Sequence, residues 1–248
     1  MLAFGDVHFP QQNAQAVEVF CRAAEHIRPD LIVCTGDLLD CGQFSSHPPT
    51  YGVPETNYED DLDAANAMLD RLQATCQRMA LVEGNHEHRL DRWAAKTAEG
   101  RGAYSLLAPR IQLMRGRKRC TYIPYSQVAG TLPHYKANSR IRVVHGWSYA
   151  KNATRMHLDK SQGKTIIHGH THRGDDCEEQ DRWGNGPPPE AHSTRCLCNL
   201  VPMYGVGAPT TWVNGFLVGY LGRRSDYIVK ATIWDGCCIL PDGTEITA

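Results

Sequence analysis

Asp30-Leu31-Ile32-Val33-Cys34-Thr35-Gly36-Asp37-Leu38-Leu39-Asp40 is a short apolar run that breaks at a glycine and is followed by two carboxylates. Its apolar residues are consecutive rather than alternating, which predicts a strand buried on both faces, as in a parallel sheet. Pro29 closes the stretch before it, where Ala14, Val17, Phe20, Cys21, Ala24 and Ile27 recur at helical spacing. Further upstream, residues 2–5 form a brief apolar segment. Downstream, a loop rich in Pro, Ser and His over residues 41–54 leads to a second amphipathic stretch, 60–76, with Leu62, Ala65, Leu69, Leu72 and Cys76 on one side. Met79-Ala80-Leu81-Val82 then repeats the opening pattern and ends at Gly84-Asn85-His86. The resulting β-α-β-α-β order predicts an α/β fold with parallel pairing at its start.

The second half supplies three more strand candidates, Thr121-Tyr122-Ile123-Pro124, Ile141-Arg142-Val143-Val144 and Thr165-Ile166-Ile167, with a helix expected over 149–162. Residues 173–194, polar and containing Pro187-Pro188-Pro189, read as a long surface loop. Residues 216–220 and 227–234, separated by Gly222-Arg223-Arg224-Ser225, read as a closing antiparallel hairpin. No repeat or linker interrupts the 248 residues, so one domain over 1–248 is the expectation. At 42% hydrophobic and 21% charged the composition excludes wholesale disorder. Lys plus Arg number 26 against 27 Asp plus Glu, so no overall basic field points to a polyanion. No apolar run approaches the ~20 residues of a membrane span, and Met1 to Asp6 lack the basic region of a signal peptide. The ten cysteines are therefore expected to be mostly reduced and intracellular.

The twelve histidines are not scattered. Asp6-Val7-His8, Gly36-Asp37-Leu38-Leu39-Asp40, Gly84-Asn85-His86-Glu87, Val144-His145-Gly146 and His168-Gly169-His170-Thr171-His172 each follow a strand candidate. Ligand sites in open α/β sheets gather at the carboxyl ends of strands, so these five groups can converge. Their Asp, His and Asn donors suit divalent cations such as Mn, Fe, Zn or Ni. Taken singly, Asp37 and Asp40 also fit helix N-caps, and His86 and His145 also fit hydrogen-bonded core histidines. His168 reads as a core residue, because alternation points it away from His170 and His172. His26, His47, His88, His134, His157 and His192 belong to no motif and read as surface or loop residues.

Asp-x-His, Gly-Asp-x-x-Asp, Gly-Asn-His-Glu, an isolated His after a strand and Gly-His-x-His occur here in order, from Asp6 to His172. In this set the chain resembles the calcineurin-like metallophosphoesterases. The resemblance implies a four-layer α/β/β/α sandwich of two mixed sheets flanked by helices. It implies two divalent metal ions, with Mn the expected activator: one on Asp6, His8 and His172, the other on Asn85, His145 and His170, with Asp37 bridging both. It also implies that His86 is the general acid for the leaving alkoxide and that Asp40 orients its ring. Arg89, in Gly-Asn-His-Glu-His-Arg, resembles the phosphate-contacting Arg of the phosphoprotein phosphatase branch. Cys41 stands where that branch carries Arg after Gly-Asp-x-x-Asp, a departure that sets the chain apart from it.

The implied activity is metal-dependent hydrolysis of phosphate esters. The chain's layout resembles stand-alone bacterial and phage phosphoesterases, so a cytoplasmic phosphodiesterase, nuclease-type or end-processing enzyme on nucleic acid or nucleotides is the first expectation. A phosphomonoesterase for small molecules or phosphoproteins is the alternative, and a metal-binding interaction module without catalysis is the alternative of another class. Arg115-Gly116-Arg117-Lys118-Arg119, the one dense basic run, fits either a phosphate-backbone contact or a solvated loop. Cys177, Cys196 and Cys198 with Cys237-Cys238 lack the spacing of a zinc ribbon or finger and read as free thiols.

Overall fold

Leu31–Cys34 lies near the middle of the larger of two mixed sheets in a computed structural model, which describes residues 1–46, 57–126, 132–179, 187–202 and 209–248. The first half of the chain runs β1 (Leu2–Phe4), α1 (Ala14–Ile27), β2 (Leu31–Cys34), α2 (Tyr58–Gln73), β3 (Arg78–Val82), α3 (His88–Lys96), α4 (Ala98–Leu107), α5 (Pro109–Gln112) and β4 (Cys120–Ile123). The second half adds β5 (Tyr135–Lys136), β6 (Ile141–Val144), α6 (Ala153–Asp159), β7 (Thr165–His168), β8 (Asp176–Glu178), β9 (Glu190–Ser193), β10 (Gly215–Leu221), β11 (Asp226–Thr232), β12 (Cys237–Ile239) and β13 (Glu245–Thr247). The larger sheet has the order β11-β10-β1-β2-β3-β4, with β1 to β4 mutually parallel and the hairpin β10–β11 added antiparallel beside β1. The second sheet, β5-β6-β7-β9-β8, has a parallel centre between antiparallel edges.

Alternation along the strands sets the layers. Leu2, Phe4, Ile32, Cys34, Met79 and Leu81 face α1 and α2 and pack with Val19, Phe20, Leu69 and Leu72. Ala3, Leu31, Val33, Ala80, Val82 and Leu217 turn the other way, onto Ile141, Val143 and Ile167 of the second sheet. The far face of that sheet carries Val144, Ile166 and Ala191 against Leu158 of α6. Helices, sheet, sheet and helix are therefore the four layers. Capping agrees with the sequence: the Asn13 side chain accepts from the Ala16 amide at 3.1 Å, and α1 ends at Arg28 in the left-handed region.

Residues 173–194 depart from the long loop expected of them. They contain β8 and β9, and β9 extends the second sheet by pairing parallel to β7. Strands of three and four residues are too short to display a period, and the neighbouring prolines mask them. The helix expected over 149–162 is shorter, and α3 to α5 fill a stretch for which no element was expected. The closing hairpin forms as β10 and β11, but β12 and β13 follow it. His157 and His192 are buried rather than at the surface, and His47 with residues 48–54 of the expected loop lies outside the described residues. Among the described residues no helix is long and apolar enough to cross a membrane.

The basic run divides. Arg119 precedes β4 and accepts the Met79 amide through its carbonyl, which puts the run at the amino ends of β3 and β4. Arg117 is 7% exposed; its guanidinium donates to Asn66 Oδ1 at 2.8 Å, Asn66 O at 3.0 Å and Leu113 O at 2.7 Å, and pairs with Asp70. It clamps α2 to the turn after α5. Arg117→Ala is expected to destabilise the fold by about 1–3 kcal/mol, because buried acceptors lose their donor. Lys118→Ala and Arg119→Ala, at exposed positions, should stay within about 0.5 kcal/mol. Urea unfolding midpoints check both, and equal effects at all three positions would contradict the clamp.

Candidate functional site

The carboxyl ends of β1, β2 and β3 in one sheet and of β6 and β7 in the other open onto one cleft, and all seven expected ligands stand in it. The chain turns sharply to put them there. Asp6, His8, Asp37, His170 and His172 have φ between 50° and 69°, half of the ten non-glycine residues with positive φ among those described. Each such backbone costs about 1–3 kcal/mol unless its surroundings hold it. Here they do: the Asp6 amide donates to Gly36 O at 2.9 Å, and the Val7 and His8 amides to Asp37 O at 2.9 and 3.0 Å. Gly84 must lack a side chain, since a Cβ there would meet Asp37 Oδ1 at 2.0 Å.

Asp6, His8 and His172 form one metal-capable group, and Asp37, His145 and His170 another. In the first, His172 Nε2 lies 3.2 Å from both Asp6 Oδ1 and His8 Nε2. In the second, His145 Nε2 lies 3.4 Å from Asp37 Oδ2 and 2.9 Å from Asn85 Oδ1. Asp37 Oδ2 also reaches within 3.8 Å of His8 Nε2, so this carboxylate faces both groups. Donors bonded to one cation at 2.0–2.2 Å stand about 3 Å apart, and these spacings match. The donor set of carboxylate oxygen, amide oxygen and imidazole nitrogen therefore fits a divalent cation in each group.

Hydrogen bonds behind the rings fix which nitrogen faces the cleft. His145 Nδ1 donates to Thr35 O at 2.9 Å. Asp40 Oδ1 accepts from His8 Nδ1 at 3.3 Å and from His86 Nδ1 at 3.0 Å, so one carboxylate orients two imidazoles. His172 Nδ1 faces Cys198 Sγ at 3.7 Å. The titration of the groups follows from burial and charge. Asp6 and Asp37 are 0% and 1% exposed; burial works against their charge, but His172 beside Asp6 and His145 beside Asp37 outweigh it and hold both carboxyls down. Burial pushes His170 down to about 4 and lowers His8, leaving both neutral and ready to ligate. Against its burial, His145 is lifted to about 9 chiefly by Asp37. His172 is raised in the same way by Asp6.

His86 and Arg89 stand on the Asp40 side of the cleft. Despite burial, Asp37 and Asp40 raise the His86 pKa. Its Nε2 lies 3.9 Å from Asp37 Oδ2 and 3.1 Å from Arg89 Nη2, while Arg89 Nη1 donates to Asp40 O at 2.8 Å. His168 is a core residue as expected, bonded to Thr154 Oγ1 at 3.0 Å and stacked on His157. The residue sequence reading passed over is Glu87. Buried at 2% exposure, it accepts from the Asp37, Leu39 and Gly84 amides at 3.1, 2.8 and 2.9 Å and ties the second motif to the third. Its signal was present in Gly-Asn-His-Glu, but nothing in sequence marks a carboxylate as aimed at backbone. All ten cysteines are free; the Cys196 and Cys198 thiols and a ring nitrogen of His172 lie within 4.8 Å of one another, whereas Cys177 is on β8 and Cys237 and Cys238 are on β12.

These motifs are those of the calcineurin-like phosphoesterase family. The model of the family "Calcineurin-like phosphoesterase" matches residues 1–174, which include every side chain of the two groups, and the chain belongs to that family. Among solved structures the chain is similar to a single mutant of Vps29 from Entamoeba histolytica, at 15% identity and a TM-score of 0.49, covering 100% of this chain and 98% of that one. Vps29 of Chaetomium thermophilum matches at 15% identity and a TM-score of 0.48, covering 100% and 92%. Yfce, a phosphoesterase from E. coli, matches at 14% identity and a TM-score of 0.39, covering 99% and 96%. No curated protein sequence matches the chain.

Two outcomes are expected for metal binding. Asp37→Asn should lose at least one of two bound divalent ions and the activity with it; elemental analysis showing two tightly held ions and normal turnover would remove Asp37 from the bridging position. Because His145, at about 9, carries a proton at neutral pH that a cation must displace, and Asp6 raises His172 as well, apparent affinity should rise as pH increases toward 9 and weaken in acid. Calorimetry in buffers of different ionisation enthalpy reads the released protons, and an affinity flat between pH 6.5 and 9 would exclude His145 as a ligand.

Proposed function

We propose that the protein is a dinuclear metal hydrolase of phosphate esters, a phosphodiesterase or end-processing phosphatase acting on nucleic acid or nucleotides. The observation that carries this reading is the position of Asp37 Oδ2, within 3.4 Å of His145 Nε2 in one group and 3.8 Å of His8 Nε2 in the other. Two divalent ions, with Mn the expected activator, would sit on Asp6, His8 and His172 and on Asn85, His145 and His170, sharing Asp37. Such ions lower the pKa of water and withdraw charge from phosphoryl oxygens when bound.

The chain's own residues supply the rest. Asp37 and Asp40 raise the His86 pKa against its burial and so favour the charged form that can give up a proton. With Nδ1 bound to Asp40, the acidic Nε2–H faces the cleft and donates to the departing alkoxide. Arg89, already against His86 Nε2, can shift its guanidinium onto a phosphoryl oxygen. That position also favours a second reading, hydrolysis of terminal phosphate monoesters, in which Arg89 clamps the free oxygens. The His86–Asp40 pair argues against an interaction module, since binding metal alone requires no acid. The run Arg115 to Arg119 lends polynucleotides no support, as it sits at the amino ends of β3 and β4 with Arg117 turned inward.

His86→Ala separates acid catalysis from metal binding. The variant should keep both ions and lose about 10²–10⁴-fold in turnover on esters of alcohols. The loss should shrink on p-nitrophenyl esters, whose leaving group departs without a proton. Equal losses on both would assign His86 to positioning. A screen of Mn, Fe, Zn and Ni against p-nitrophenyl phosphate, its bis ester, 2′,3′-cyclic nucleotides and DNA tests the activity itself; no turnover with any pair would overturn the reading.

A further inference from the structure

Three aromatic rings stand around the two metal-capable groups, and the chemistry above uses none of them. Trp212 lies with its ring centroid 4.2 Å from that of His172, Tyr149 lies 6.0 Å from His170, and Tyr125 lies 6.2 Å from His145. They come from three separate loops, following β4, following β6 and preceding β10. Each therefore adjoins a different histidine of the cleft.

Their exposure differs in a telling way. Tyr125 is anchored, its ring 5.1 Å from His88, and Trp212 is partly buried against His172. Tyr149 is 82% exposed, although folding would gain by burying such a ring. A large aromatic surface left open beside a catalytic cleft is a face available to a ligand. His86 and Arg89 gather instead around Asp40. The site thus offers charge and a proton as well as π faces.

We propose that Tyr149 and Trp212 form a stacking subsite for a nucleobase attached through its sugar to the scissile phosphate. The proposal deepens the nucleotide-phosphoesterase reading and rests on it. Stacking accepts any base, because each has a π face, so the subsite selects nucleosides over simple alcohols without reading sequence. A single base beside His170 and His172 calls for one nucleoside unit at the metal groups and for no long basic track, in keeping with the position of the Arg115 to Arg119 run.

The test compares uridine 2′,3′-cyclic phosphate with the 2′,3′-cyclic phosphate of methyl β-riboside, which has the same strained ester and leaving groups but no base. Hydrolysis is followed by phosphorus NMR in Mn, and the readout is the ratio of the two KM values. The wild-type protein should prefer the uridine ester by about tenfold or more, Tyr149→Ala should erase most of that preference, and Tyr149→Phe should keep it. Trp212→Leu should act in the same direction; because Trp212 packs on His172 its fold is checked by thermal melting, while the exposed Tyr149 provides the decisive arm. Equal KM values in the wild type, or a preference untouched by Tyr149→Ala, would overturn the stacking subsite and leave phosphoester hydrolysis standing. If neither ester is hydrolysed, 2′,3′-cyclic phosphates are excluded as substrates, and the nucleotide-phosphoesterase reading is judged separately by the screen above. Calorimetric binding of uridine 3′-phosphate and its abasic counterpart then decides the subsite: base-dependent affinity lost in Tyr149→Ala supports it, and affinity independent of the base overturns it.

Discussion

Asp6 and Asp37 are carboxylates almost fully withdrawn from water, and a buried charge without partners costs several kcal/mol. Much of the local architecture answers that cost. The His170 amide donates to both oxygens of Asp6 at 3.0 Å, and the His86 amide to Asp37 Oδ1 at 2.9 Å. The chain passes through the left-handed region at His170, whose amide donates, and at Asp37, whose carboxylate accepts. Glu87 then holds the Asp37 turn from behind through three amides. What looks like a string of strained residues is one arrangement that surrounds two anions with donors and turns each toward the ligating histidines.

The same arrangement separates the imidazoles into two kinds. His8 and His170 are kept neutral by burial, while the carboxylates they face favour the charged form of His145, His172 and His86. Asp40 couples the two kinds, since its Oδ1 accepts from both His8 and His86. A change at Asp40 would therefore reach the proposed metal group and the proposed acid together. The family match over residues 1–174 contains all of these residues, and the aromatic Trp212 lies beyond it.

The parts of this structure that sequence revealed are those governed by local pattern. The consecutive apolar residues of β2 and β3 and the helical spacing of α1 are each visible within a dozen residues, and the ligand types follow the strands directly. What stayed hidden depends on partners far away in the chain. β9 is a strand because β7 and β8 pair with it, and its four residues carry no period of their own. His157 is buried because it stacks on His168, and Arg117 because Asn66 offers its amide and carbonyl oxygens. Glu87 and Trp212 were equally invisible, the first because backbone amides leave no mark in sequence, the second because its neighbour His172 is 40 positions away.

The cleft also lies across the boundary between the sheets. Asp6, His8, Asp37 and Asn85 follow strands of the larger sheet, whereas His145, His170 and His172 follow strands of the smaller one. Deeper in the sandwich that boundary is closed by apolar side chains such as Ala3, Val33, Ala80 and Val143. At its carboxyl rim the closure is polar and ionic, made by His172 against Asp6 and against His8, the latter 164 positions away. An ion held there would clasp one sheet to the other, so the fastening of the sandwich at this rim and the alignment of its polar groups would rest on the same few bonds.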